Sequence, residues 1–146
     1  MVDQVEQISF ALDIGDDGWP PVGLEWLHTS KTDTGLSIET LPLFVKDISV
    51  QDIIEAELDD ENRVIRWAHI EKSKRSVVWI MAYGSYDPME VLQSLRNVGC
   101  NTESLKSYNY YAVDVPSEIS FEKIDAVLET LDKASSAVAF PSFRHE

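Results

Sequence analysis

Apolar and polar residues alternate with the period of a β-strand through the first half of the chain. Ile8-Ser9-Phe10-Ala11-Leu12-Asp13-Ile14 offers one face for burial. Gly15-Asp16-Asp17-Gly18 and Pro20-Pro21 then interrupt the pattern and predict a loop. Leu24 to Thr29, with Trp26 inside it, predicts a second strand. Thr32-Asp33-Thr34-Gly35 is a hairpin signal, and Leu36 to Thr40 leaves it with period two. Leu41-Pro42-Leu43-Phe44-Val45 is apolar, but Pro42 has no N–H for a ladder, which predicts an edge or an irregular crossing. In Gln51 to Leu58, Ile54, Ala56 and Leu58 can face a core while Glu55 and Glu57 face water. Asp59-Asp60-Glu61-Asn62 predicts a turn, and Arg63 to Ile70 the returning strand. Short strands at this spacing predict a small barrel or a strongly curved sheet.

The texture changes near Lys72 to Arg75. Ser76 to Tyr83 is an apolar run of strand length. Asp87-Pro88-Met89-Glu90 predicts a helix start with Asp87 as cap. Met89, Leu92, Leu95 and Val98 form its apolar stripe, and Gly99 ends it. Cys100 to Lys106 and Tyr108 to Val115 predict two more strands. Ser120 can cap a second helix with Ile124, Val127, Leu128 and Leu131 on one face, and Ala137 to Phe140 predicts a last strand. The order is β-α-β-β-α-β, the split βαβ arrangement. The predicted fold is α+β: a small β-rich, barrel-like N-terminal part (residues 1–75) packed on a ferredoxin-like C-terminal part (residues 76–146).

Charge narrows the partners. The 146 residues hold 26 Asp plus Glu against 12 Lys plus Arg, a net charge of -14. Such a surface opposes nucleic acid, whose phosphates require cations, and favours a basic protein. Tyr108-Asn109-Tyr110-Tyr111 invites comparison with the base-stacking strand of RNA-recognition modules, but the basic and glycine positions of that signature are missing. No apolar stretch approaches the roughly 20 residues that span a bilayer, so no membrane is expected. The acidic start lacks a signal peptide's basic and apolar regions, and the lone Cys100 suits a reducing compartment; the expected location is the cytoplasm. Cys100 reads as a small buried hydrophobe behind a helix end.

The chemical inventory is thin. His28, His69 and His145 are too scattered for a metal site, and His145 lies in a tail expected to fray. Asp16 and Asp17 lack the longer oxygen series of a calcium loop. No glycine-rich phosphate loop or nucleophile elbow appears, and no cofactor is implied. His69 with Glu71 or Asp52 is a weak acid–base combination.

Several segments resemble the bacterial family called domain of unknown function 4265. They are Asp16-Asp17-Gly18-Trp19-Pro20-Pro21, Glu25-Trp26-Leu27, Leu41 to Val45, Ile48 to Ala56, Val98-Gly99-Cys100 and Ala112 to Pro116. The family usually has Asn where this chain has Leu41 and Gly where it has Gln51. The resemblance implies architectural Trp, Pro and Gly positions and transfers no catalytic residue.

The acidic loops carry the functional expectation. Glu55, Glu57, Asp59, Asp60 and Glu61 share one hairpin, Asp16 and Asp17 occupy another tip, and Trp19 beside them is a candidate aromatic anchor. The expected function is a non-catalytic acidic binding protein, an immunity protein that occludes a cognate toxin's basic cleft. The alternative is a small-molecule sensor with a pocket lined by Trp26, Trp67 or Trp79.

Overall fold

The computed structural model describes residues 5–145. Among the described residues the protein is a mixed α+β chain with two sheets and two α-helices, divided into two compact units, Met1–Ser73 and Lys74–Glu146.

In the first unit, β1 (Val5–Ala11), β2 (Leu24–Lys31), β3 (Leu36–Ile38), β4 (Ile53–Leu58) and β5 (Val64–Glu71) form one antiparallel sheet in chain order. Ile8, Phe10, Leu27, Ile38, Val45, Ile48 and Ile54 make its core. The sheet does not close into the barrel that the strand spacing predicts. Its two outer strands meet at one parallel bridge, Ser9 with Arg63, where Ser9 N–H donates to the Asn62 carbonyl at 3.0 Å.

β2 inverts the expected hydrophobic order: Leu24 and Trp26 face water while Glu25 and Thr29 are buried. Both buried groups have partners. The Glu25 carboxylate accepts the N–H groups of Leu43 (2.6 Å), Phe44 (2.9 Å) and Val45 (2.8 Å), and the Thr29 hydroxyl donates to the Glu6 carbonyl. Leu41 to Val45 is therefore an irregular crossing held by a side chain rather than by a ladder. Burial pushes the Glu25 carboxyl above its ordinary range, and the three N–H groups pull it back in part.

Backbone constraints set the turns. Thr32 Oγ1 accepts Gly35 N–H at 3.0 Å and donates to its carbonyl at 2.9 Å. A Cβ at Gly35 would lie 2.4 Å from the Ile54 carbonyl oxygen and 2.6 Å from Ile70 Cδ1, so the β3–β4 approach excludes any side chain there. Gln51 sits in the left-handed region at φ 69°, where glycine is favoured.

In the second unit, β6 (Ser76–Ala82), α1 (Met89–Val98), β7 (Asn101–Leu105), β8 (Tyr110–Val115), α2 (Phe121–Leu128) and β9 (Ser136–Ser142) follow in turn. The sheet is antiparallel throughout, with spatial order β7-β8-β6-β9. Val78, Ile80, Tyr111, Val113 and Val115 pack with Val91, Leu92 and Leu95 of α1 and with Ile124 and Leu128 of α2. Met89 leaves the predicted stripe and is exposed, and Val91 takes its place. The α1 cap is displaced by one residue: Pro88 stands at the N-cap position, and Asp87 still accepts Met89 N–H at 3.0 Å. Ser120 caps α2 by accepting Glu122 N–H. Tyr110 and Tyr111 are buried, leaving only Tyr108 of that tyrosine run exposed. Asp114, nearly inaccessible, takes a bidentate pair from Arg75 and a hydrogen bond from Asn101.

His145 is not frayed. Its Nε2 donates to the Pro116 carbonyl at 2.9 Å, which leaves Nδ1 to accept the Ser76 hydroxyl at 2.6 Å. Ser76 Oγ in turn accepts Arg144 N–H at 2.7 Å.

Candidate partner-binding site

The β4–β5 hairpin gathers the acidic residues by register. Glu55 lies opposite Ala68, Ala56 opposite Trp67, and Glu57 opposite Arg66. Side chains opposite one another share a face. Glu55, Glu57, Arg66 and Ala68 therefore point outward, whereas Ile54, Ala56 and Leu58 turn toward the core. A shallow depression of about 350 Å³ is lined by Glu55, Ala56, Glu57, Arg66, Trp67 and Ala68.

The tip is built around Asp59. Its Oδ1 accepts the N–H groups of Glu61 (2.8 Å) and Arg63 (2.9 Å), and its Oδ2 accepts Arg63 Nε at 2.7 Å. The Arg63 N–H, the Glu61 N–H and the Arg63 guanidinium together hold the Asp59 carboxyl below the usual range. Asn62 takes the left-handed position of the turn, φ 61°.

The predicted residues separate into three groups. Glu55, Asp60 and Glu61 are exposed, with Glu61 3.8 Å from Arg63. Glu57 and Asp59 are engaged by Arg66 and Arg63. Asp16 and Asp17 are exposed on the other loop, where Asp17 accepts Trp19 N–H at 3.0 Å. Trp19 is not a protruding anchor: it is half-buried, its ring edge-on to Phe44 at 5.6 Å. Turn 59–62 abuts Ser9, whereas the Asp16 loop leaves after Ala11 at the end of β1.

The apolar residues near the acids are Ile65 and Ile70 of β5, 61 % and 41 % exposed. The sequence places both in the returning strand without assigning either a face. The signal was available: Ile70 shares the outward parity of Arg66 and Ala68, and Ile65 falls at the bulge that brings Leu58 opposite Val64.

The structure brings His69 and Asp52 together, with Nε2 2.9 Å from Oδ2, and leaves Glu71 exposed. Asp52 is fully buried and also accepts the N–H groups of Ser49 and Ser73. It thereby ties the segment before β4 to β5 and to the residues that follow it. The His69 ring packs edge-on against Trp67. Among the described residues no cluster of three or more His, Cys, Asp or Glu could hold a metal ion. Trp26 is exposed, and Trp67 packs against the core and lines the open depression. Among the described residues no helix is long and apolar enough to cross a membrane.

The family model described as Domain of unknown function (DUF4265) matches residues 25–138. A solved structure described as "Novel crystal structure of a hypothetical protein from Neisseria gonorrhoeae" aligns with a TM-score of 0.71 at 15 % identity, covering 96 % of each chain. At that identity the likeness is one of fold. No curated protein matches the chain.

Proposed function

The chain belongs to the family described as Domain of unknown function (DUF4265), and we propose that it is a non-catalytic acidic protein that docks on a basic partner. Its simplest form is a cytoplasmic immunity protein that occludes the cationic cleft of a cognate toxin. The observation that carries this reading is the outward face of the β4–β5 hairpin. Glu55, and Glu57 with its partner Arg66, line a depression together with Ala56, Trp67 and Ala68. A lysine or arginine stem can lie in that depression with its charge against Glu55. From Glu55 to Arg66 the hairpin keeps a net three negative charges after Arg63 and Arg66 are counted. Asp59 fixes the tip before any partner arrives, which lowers the ordering cost of association. The role of Asp52 as acceptor for Ser49, Ser73 and His69 favours a structural clamp over catalysis.

The strand order and βαββαβ sequence of the second unit support a ferredoxin-like scaffold, and the touching outer strands of the first support a barrel-like one.

The test takes as partner any basic toxin domain that a neighbouring gene is found to encode. Glu55→Gln, Asp60→Asn and Glu61→Gln together spare the turn, because Asp59 is left in place. Association measured by stopped flow should slow by about tenfold at low ionic strength and lose most of its salt dependence. Unchanged on-rates reject this face as the docking rim. Failure to bind any product of neighbouring genes rejects the immunity reading.

A further inference from the structure

We propose that Trp26, on the outward face of the β1–β2 pair, is the seat for an arginine side chain of the basic partner. The proposal rests on the acidic docking reading above and names what that surface grips. Trp26 is 47 % exposed, and Leu24 on the same face 43 %. Among the described residues neither the indole ring nor its N–H has a partner. Ser9 lies directly opposite Trp26 on β1. It gives its N–H to the Asn62 carbonyl, away from β2, so Ser9 and Trp26 form the kind of cross-strand pair whose side chains stand closest. The Ser9 hydroxyl is fully buried and is the one buried side-chain polar atom among the described residues without a hydrogen-bond partner. An orphan of that kind marks a place where a further group completes the bonding.

Charge selects the occupant. Residues 1–30 hold six Asp or Glu and no Lys or Arg. Along the strands, the loop with exposed Asp13, Asp16 and Asp17 joins Ala11 to Leu24, the pair two residues on from Ser9 and Trp26. Across the strands, turn 59–62 reaches Ser9 through Asn62, one strand away from Trp26. Arg63 also lies there, but Asp59 and Glu61 engage its guanidinium, while Asp60 is exposed and unpaired. A planar guanidinium stacks on an indole face and keeps its N–H groups at the edge of the stack for oxygen acceptors, a match that the compact lysine ammonium lacks. Seated on Trp26, the guanidinium is held in the field of both acidic loops, and its stem lies against Leu24. As the indole tilts off the strand pair, one guanidinium N–H donates to Ser9 Oγ.

Titration of the full chain with the peptide acetyl-Gly-Arg-Ser-Arg-Gly-amide tests this, read by NMR on the indole N–H signals of the four tryptophans. Trp26→Leu identifies the Trp26 signal by its loss. That signal should move with a midpoint of about 1 mM, and the same peptide with citrulline for arginine should leave it in place. Trp26→Leu keeps an apolar side chain without the π face, and should raise the midpoint, read on β1 and β2 amides, by about threefold or more. Ser9→Ala should raise it by about threefold with no fall in the melting temperature, because the lost hydroxyl has no partner in the free protein. A Trp26 signal unmoved at about 10 mM peptide, or moved equally by the citrulline form, overturns the proposal. So does a midpoint that ignores Trp26→Leu or Ser9→Ala. Trp67 reports the β4–β5 depression separately. Movement of Trp67 alone overturns the seat on Trp26 and leaves the hairpin docking face in place, whereas movement of Trp26 alone supports the seat and counts against the depression.

Discussion

Replacing Glu25 with alanine removes the acceptor of three main-chain N–H groups at once, those of Leu43, Phe44 and Val45. Hydrogen bonds to a charged acceptor contribute about 1.5–3 kcal/mol each. Two effects reduce the sum. Leu43 and Phe44 are only half-buried, so water can reach their N–H groups once the carboxylate is gone. The carboxylate's own desolvation, which raises its pKa, is also relieved. The expected net loss is about 3–5 kcal/mol, a large part of the roughly 5–15 kcal/mol that holds a domain of this size. In urea titrations the midpoint should fall with the slope preserved, and the melting temperature should drop by roughly 10 °C. Glu25→Gln keeps one carbonyl acceptor and should lose about half as much. The pH dependence gives an independent readout. Because the folded pKa lies above the unfolded one, the protonation-linked part of Glu25's contribution is fully present below the unfolded value. It is lost as pH rises through the folded value. Glu25→Gln should therefore show a smaller loss of stability across that window than the wild type. An alanine variant within about 0.5 kcal/mol of wild type would refute the reasoning, since Leu41 to Val45 would then be held by something other than this carboxylate.

Two further outcomes follow from backbone and thiol environments. Gln51→Gly should raise stability by up to about 1 kcal/mol, because it relieves a left-handed non-glycine residue against a modest gain in unfolded-state entropy; thermal unfolding checks the sign. Cys100 is buried, and its thiol is pushed up to about 11, first by desolvation and then by the charge of Asp114. Ellman's reagent at pH 8 should leave it unmodified in the native protein and report one thiol in denaturant, whereas rapid native reaction would contradict its burial.

What could be read from the chain depended on how local the cause was. The β4–β5 hairpin was legible because Ile54, Ala56 and Leu58 alternate with Glu55 and Glu57 ahead of a polar turn. The orientation of β2 was not, since hydrophobicity places Trp26 inside and Glu25 outside. Only the row of N–H groups at residues 43–45, distant in sequence, reverses that order. The number of strands was legible, but whether the sheet closes depends on a twist that period-two alternation does not encode. At the candidate site the acids stood out as a run. Their pairing with Arg63 and Arg66 required a register set by a bulge at the end of β4. Trp19 looked like a free anchor because its cover, Phe44, comes from another segment. The anchoring of His145 likewise rests on Ser76 and Pro116, far from the tail in sequence. The resemblance noted at Gln51 gains a physical basis, for the usual glycine there matches the positive φ observed.

Gly35 gives a way to sort related sequences by a single letter. The space for a methyl group is taken by a main-chain oxygen of the neighbouring strand, which cannot swing aside as a side chain would. A relative with any other amino acid at this point must have slid or parted those two strands, and everything hung on the following hairpin would shift with them. Such a sequence should be set aside before its acidic loop is aligned with this one.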